Sequence, residues 1–204
     1  MFKLIRKSEY DLLKKNALRC SKQDIMLEQL RQKLNAEQTC RENLKIKLKE
    51  TGARIYAIMP NKNNIDTYIC IIDNRNNDSI GELNMFVINS EIIPSKRAGK
   101  YNDMPFMETY FSPNQVSLIE LHCIVNNKNY ENKGYGTMMI KSLIQIARES
   151  KCHLISGTLY EGDAQTEEEK EKRNRFYFNR GFATRFNDNS HRSGTFYMCI
   201  PTSK

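Results

Sequence analysis

Residues 8–50 contain neither glycine nor proline. They are rich in Leu, Lys, Glu, Gln and Arg, side chains that favour the helix. A run with no breaker predicts a helical segment, and Thr51-Gly52 supplies its stop. Ser8 and Ser21 are candidate caps at its start. On a spacing of three and four residues one stripe reads Leu13, Asn16, Cys20, Gln23, Leu27, Leu30, Leu34, Glu37, Arg41, Leu44 and Leu48. Seven of these eleven are apolar, which predicts an imperfect coiled coil or a helical hairpin with a polar gap at Glu37 and Arg41. Two uses of such an arm stay open: packing on its own domain, or joining two copies in a homodimer.

Residues 1–50 hold 13 Lys/Arg against 7 Asp/Glu, and residues 51–204 hold 19 against 17, so the basic excess belongs to the arm. It could attract nucleic acid or an acidic partner. Acids interleave the lysines, however, and no aromatic residues alternate with them as a stacking platform requires. Nucleic acid therefore has no further support, and a solvated helix surface is the simpler reading. No stretch approaches the roughly 20 apolar residues that span a bilayer, and charges interrupt the apolar runs of MFKLIRKSEYDLLKK, so neither membrane insertion nor a signal peptide is expected. Cys20, Cys40, Cys70, Cys123, Cys152 and Cys199 are scattered with no CxxC pair. That pattern fits a reducing, cytoplasmic setting and no metal site.

After Gly52 the texture changes. Residues 53–204 read as a second unit of α/β class, with strands at Arg54–Met59, Thr67–Ile72 and Ile80–Asn89. A polar turn is expected at Asp73–Asp78. Residues 90–116 carry three of the five prolines and read as one long loop. A strand at Ser117–Val125, a helix over 137–150, a strand at His153–Tyr160 and a helix at Thr166–Asn179 follow. Thr166 and Glu169 are spaced as a capping box. Strands at Phe182–Phe186 and Thr195–Ile200 close the chain. This order predicts a mixed, mostly antiparallel central sheet with flanking helices, preceded by the helical arm.

Chemistry concentrates at Val125–Thr137. A strand ends, a polar turn follows, and Gly134-Tyr135-Gly136 opens a helix. The first N–H groups of a helix lack internal partners and face outward, and with the helix dipole they suit an anion such as a diphosphate. Lys133 would add positive charge. The spacing matches neither GxGxxG nor GxxxxGK[ST], so dinucleotide-fold and P-loop readings fail. Glu120 stands on an unusually apolar strand, where partial burial is expected. Strict alternation would put Glu120, His122 and Ile124 on one face and Ile119, Leu121, Cys123 and Val125 on the other. Cys123 has no basic neighbour in sequence to activate it, so a small packed side chain is expected there rather than a nucleophile.

Three stretches carry a family resemblance. Glu131-Asn132-Lys133-Gly134-Tyr135-Gly136 resembles the Gln/Arg-x-x-Gly-x-Gly/Ala motif of the GNAT (GCN5-related) N-acetyltransferases, with Glu131 replacing the usual Gln or Arg. The strand His153–Tyr160 follows in the expected place. Phe176-Tyr177-Phe178-Asn179-Arg180-Gly181-Phe182 is similar to the family's aromatic helix ending. The resemblance spans about residues 117–186 and leaves the arm outside. It implies acetyl-CoA as co-substrate. Asn132, Lys133, Gly134, Tyr135, Gly136 and Thr137 would face its diphosphate, Ile124 and Val125 its pantetheine arm, and Asn174 would reach that arm from the last helix.

Transfer of an acetyl group to an amine needs a base to free the amine and an acid for the departing thiolate. Glu120 stands 14 residues before Gly134, the offset of the catalytic Glu in the family's histone-acetylating branch. That makes it the candidate base, with His122 as a second group able to relay a proton. Tyr177, four residues before Gly181, stands where the family has its proton-donating Tyr. The resulting expectation is an acetyl-CoA-dependent N-acetyltransferase acting by direct attack. Its amine acceptor, small molecule or macromolecule, stays unidentified. The alternative is a non-catalytic CoA-binding or scaffold protein that oligomerises or binds a partner through its N-terminal helices.

Overall fold

The computed structural model describes residues 7–75, 81–92, 104–111, 118–125 and 128–201. Helix α1 (Lys7–Thr51) is one unbroken rod of 45 residues, about 68 Å long at 1.5 Å per residue. It is not a hairpin, because nothing in its sequence interrupts the ladder. Ser21 lies mid-helix and donates its hydroxyl back to the Leu18 carbonyl. Among the described residues the last turns pack on the rest of the chain, where Cys40 and Leu44 are buried and Leu48 is partly buried. Before them Leu13, Leu27, Leu30 and Leu34 are each more than half exposed.

Eight strands form one sheet in the order β1-β2-β3-β4-β5-β6-β8-β7. They are β1 (Arg54–Pro60), β2 (Asp66–Asn74), β3 (Gly81–Ile88), β4 (Phe106–Phe111), β5 (Leu118–Val125), β6 (Leu154–Leu159), β7 (Ala183–Phe186) and β8 (Gly194–Cys199). All neighbours are antiparallel except β5 and β6. Helix α2 (Tyr135–Glu149) makes the crossover between those two parallel strands, as parallel pairing requires. Its buried Met138, Met139, Ile140, Leu143, Ile146 and Ala147 form a continuous apolar face. Helix α3 (Glu167–Phe178) starts with the expected capping box of Thr166 and Glu169.

Two departures from the sequence reading matter. The segment 90–116 is not one loop: it contains β4, whose buried Met107 and Thr109 alternate with half-buried Glu108 and Tyr110. The six residues FMETYF sit just after Pro105, and the prolines around them mask so short an alternation. The flanks 93–103 and 112–117 lie outside the described residues, as do 76–80 of the expected turn at Asp73–Asp78, into which β2 extends as far as Asn74.

The second departure is a bulge. In the β4–β5 ladder Glu108 faces Cys123 and Thr109 faces Leu121, which leaves His122 as the extra residue. A bulge reverses the side-chain parity beyond it. Ile124 therefore pairs with buried Met107 rather than sharing the face of Glu120. Cys123 turns the other way, its thiol donating to Glu108 Oε2 at 3.7 Å.

β5 and β6 pair only from Leu118–Leu121 to Leu154–Gly157. β5 continues to Val125 and β6 to Leu159 without pairing to each other. The sheet thus opens into a V at its centre. Gly157 sits at the vertex. A Cβ there would lie 2.2 Å from Phe196 Cζ and 2.5 Å from the Leu121 carbonyl oxygen, so only glycine lets the Phe196 ring cross β6 at this point.

Candidate active site

The glycine turn is held from below by a polar hub. The Tyr135 side chain is fully buried, and its hydroxyl accepts from Asn89 Nδ2 (2.8 Å) and Asn61 Nδ2 (3.3 Å) while donating to Glu91 Oε2 (3.3 Å). Lys133 Nζ reaches the same Glu91 oxygen at 3.1 Å. Burial alone would raise the Glu91 carboxyl, but hydrogen bonds from Asn63 and Lys133 outweigh it and hold the group below the usual carboxylate range. Asn61 shapes the β1–β2 turn by accepting from the Asn63 and Ile65 amides, an Asx-type closure. The Lys62 amide then donates to the Lys133 carbonyl at 3.2 Å. Two loops distant in sequence are clamped together.

Above the hub, the backbone turns sharply. Asn132 has φ 61° and Gly134, the cap of α2, has φ 92°; the second value costs a glycine nothing. Met138 is the first amide of α2 bonded back into the helix, to the Gly134 carbonyl. The amides of Tyr135, Gly136 and Thr137 precede it and stand free of the helix ladder.

These groups floor a cavity of about 390 Å³ whose walls include Lys62, Ile124, Asn132, Gly134, Gly136, Thr137, Asp163, Phe176, Tyr177 and Arg180. Phe176 lies against Gly136, where an added Cβ would come within 3.1 Å of the ring. The Arg180 guanidinium stacks on the other part of that ring, 3.6 Å from its centroid. It donates to the Thr137 hydroxyl and the Phe176 carbonyl, and burial lowers its pKa from the usual arginine range. Its Nε is buried without a partner. Lys62, from the β1–β2 turn, passes within 3.4 Å of the Gly134 Cβ position.

Glu131 also lines the cavity, and Lys172 Nζ binds its carboxylate at 2.6 Å. The acid that replaces the family's Gln or Arg is therefore matched by a cation from α3. Lys133, by contrast, does not bring its charge to the cavity, because Glu91 draws it underneath. The cations there come from Lys62, Lys172, Arg173 and Arg180. Lys62, Lys172 and Arg173 were not identifiable from sequence, since each stands on an element remote in sequence from the glycine turn.

The remaining expected residues divide. Ile124 lines the cavity; Val125 ends β5, but its side chain lies outside the described residues. Asn174 does not line it. Its amide donates to the His191 carbonyl at 3.3 Å and its oxygen accepts from Arg173, so it secures the β7–β8 loop. Tyr177 lines the cavity and stacks on Phe196 with centroids 3.9 Å apart and planes 19° apart. Burial first, with Asp163 nearby, raises its phenol above the ordinary value. Among the described residues its hydroxyl has no hydrogen-bond partner.

Glu120 is exposed rather than partly buried. It faces Tyr110 on β4 and Ser156 on β6. Because Ser156 and Gly157 alternate, Glu120 and Tyr177 lie on opposite faces, and only Tyr177 reaches the cavity. His122 is exposed beside it and meets the Tyr110 ring edge-on at 5.7 Å. Burial pushes the Cys123 thiol up to about 11, with Glu108 adding to it, which is the reverse of an activated nucleophile.

Residues 97–182 match the profile of the Acetyltransferase (GNAT) family. This segment is similar to the GNAT acetyltransferases, a family whose co-substrate is acetyl-CoA and whose chemistry is acyl transfer. Solved structures of similar fold include the GNAT domain of S. lividans PAT (6% identity, 71% of this chain and 96% of that one, TM-score 0.49). The ribosomal-protein-S18-alanine N-acetyltransferase of Escherichia coli is another (14%, 63% and 75%, TM-score 0.42). A third is PaiA N-acetyltransferase of Thermoplasma acidophilum, solved in complex with coenzyme A (13%, 58% and 60%, TM-score 0.40). No curated protein matches the chain.

The residues present fit the diphosphate of this co-substrate. The turn at the start of α2, whose first amides are free of the helix ladder, lines one cavity with the cations Lys62 and Arg180.

Proposed function

We propose that the protein is an acetyl-CoA-dependent N-acetyltransferase that transfers acetyl by direct attack of an amine. The observation that carries this reading is the cradle at the start of α2, roofed by Arg180 and Lys62 and opening into the V between β5 and β6. When bound, acetyl-CoA supplies an acetyl thioester. The amides of Tyr135 to Thr137 hold negative charge without an added side chain. The edge of β5 beyond Leu121, unpaired to β6, offers backbone N–H groups to a carbonyl oxygen. Tyr177 keeps its proton throughout the physiological range and is the donor for a leaving thiolate. Glu120, on the opposite face, is the acceptor of the amine proton. Its exposure supports a route through water rather than a desolvated contact.

Isothermal titration with CoA tests the cradle, and thiol release from acetyl-CoA with a panel of amines tests the transfer. Heat without turnover on any amine would leave only the scaffold reading. One observation favours a role beyond chemistry for the arm: the apolar residues of α1 before Cys40 are exposed. We take residues 7–51 as an appendage to a catalytic unit starting near Ala53. The arm is the element through which a cytoplasmic homodimer would form, with sedimentation equilibrium as the check.

A further inference from the structure

Lys133 and Lys62 both flank the glycine turn, and the fold uses them in opposite ways. Lys133 precedes Gly134 in the chain, but its ammonium is held by Glu91 at 3.1 Å. Lys62 arrives from the β1–β2 turn and lines the cavity. Its stem already lies along the glycine turn, with Cγ 3.4 Å and Cε 4.0 Å from the point where a Gly134 Cβ would stand. A side chain laid down before binding loses less rotamer freedom when it meets a ligand.

The other charges of the cavity wall narrow the choice of cation. Lys172 binds Glu131. Arg173 gives its terminal N–H groups to the Tyr160, His191 and Arg192 carbonyls. Glu169 closes the capping box of α3. Among the described residues neither Lys62 nor Arg180 is ion-paired with a carboxylate. Lys62 stands at Gly134 and Arg180 at Thr137, a pair of unmatched cations for the paired negative charges of a diphosphate diester.

The hub beneath the turn fixes where Lys62 stands. Asn61, its neighbour, is 7% exposed. Its oxygen closes the β1–β2 turn by accepting from the Asn63 and Ile65 amides, and its Nδ2 donates to the Tyr135 hydroxyl. Asn89 Nδ2 donates to the same hydroxyl and to Thr67 Oγ1 at 2.9 Å. Asn89 and Thr67 are fully buried. Side chains from the β1–β2 turn, β2, the end of β3 and the glycine turn thus meet around one phenol. A satisfied buried network of this kind specifies one geometry. Apolar side chains would fill the space without setting the distance from Lys62 to the start of α2.

We propose that Lys62 is a diphosphate-binding residue of the cradle and that Tyr135, acting through Asn61, is its positioning residue. The proposal rests on the acetyltransferase reading and adds to it the cation that the motif alone would place at Lys133.

The test is isothermal titration of the full chain with CoA and with dephospho-CoA, which keeps the diphosphate and lacks the 3′-phosphate. Lys62→Gln weakens both by about tenfold, the scale of one charge-assisted hydrogen bond, and by more at low salt than at high. Lys133→Gln, whose amide can still donate to Glu91, weakens them by about twofold at most. In a Tyr135→Phe chain Lys62→Gln costs no more than about threefold, because the ammonium has already lost its place and the two changes couple. Circular dichroism melting checks that the Tyr135→Phe chain folds. Asn61→Ser gives a second cycle, since serine can close the turn but is too short to reach the phenol. A loss of about tenfold in every background would make the hub merely structural and overturn the proposal. So would a loss seen with CoA and absent with dephospho-CoA, which would move Lys62 to the 3′-phosphate. A parent chain that binds neither coenzyme would sink the acetyltransferase reading instead.

Discussion

Gly157→Ala is the sharpest single perturbation of the V. The new methyl carbon would lie 2.2 Å and 2.7 Å from two Phe196 ring carbons and 2.5 Å from the Leu121 carbonyl oxygen. Carbon atoms meet comfortably at about 3.5–4.0 Å, so the ring must retreat by more than 1 Å. It has no free space: Phe196 is 1% exposed and is wedged between Tyr177 and Phe182. The backbone oxygen of β5 cannot step aside without breaking the last β5–β6 pair. Overpacking of a filled core costs about 1–3 kcal/mol, and two simultaneous clashes place this change near 3. With a urea slope of about 2 kcal/mol per M, the unfolding midpoint falls by about 1.5 M. Tyr177 loses its stacked support, so thiol release falls more than CoA affinity does. Phe196→Leu in the same chain relieves the ring contact but not the carbonyl contact, and restores part of the loss, a coupling that a double-mutant cycle isolates. A Gly157→Ala protein within about 0.5 kcal/mol of the parent, with unchanged turnover, would show that Phe196 does not cross β6 there.

Arg180→Gln removes the guanidinium from its Phe176 stack and from Thr137; CoA affinity measured by titration falls about tenfold, the scale of one charge-assisted contact. Tyr177→Phe lowers kcat by about 10²-fold or more if the phenol is the acid, while CoA affinity stays within twofold. The Tyr177, Tyr110, Cys70 and Cys123 protons are all held more tightly in the folded chain than in the unfolded one. As pH rises past about 9 the unfolded chain sheds protons that the native chain keeps, so stability falls by up to about 1.4 kcal/mol per pH unit for each such group; urea midpoints from pH 7 to 11 check the sign. Glu131→Gln frees Lys172 beside the cradle and tightens CoA binding about threefold, whereas Lys172→Ala leaves Glu131 uncompensated and weakens it by a similar factor.

Local patterns carried the elements well. The helix stop at Thr51-Gly52, the capping box at Thr166 and the strand–glycine–helix turn each depend on neighbours within four residues, and each is present as read. What failed depends on distant partners. Strict alternation misplaced Ile124 and Cys123 because a bulge is a property of two strands, and β4 was hidden between prolines. Lys133 was read as a phosphate cation, but its charge is spent on Glu91, 42 residues earlier. Asn174 was drawn toward the cofactor by motif analogy, yet the β7–β8 loop holds it. Arg180, inside the recognised aromatic stretch, could have been found: four residues after Phe176 on a helix end, its guanidinium returns over that ring.

The arrangement of Glu120 and Tyr177 follows from parity and limits any mechanism. Gly157 and Phe196 face one side of the sheet with Tyr177, while Ser156, Tyr197 and Glu120 face the other. A continuous sheet would keep an acid and a base so placed about 10 Å apart with backbone between them. Only where β6 leaves β5, beyond Gly157, can one centre be approached from both faces. The vertex glycine therefore does two things at once: it admits the ring that supports Tyr177, and it marks the row at which the sheet ceases to be a wall. The proposed base Glu120 on the open face and the proposed donor Tyr177 in the cavity become compatible for this reason.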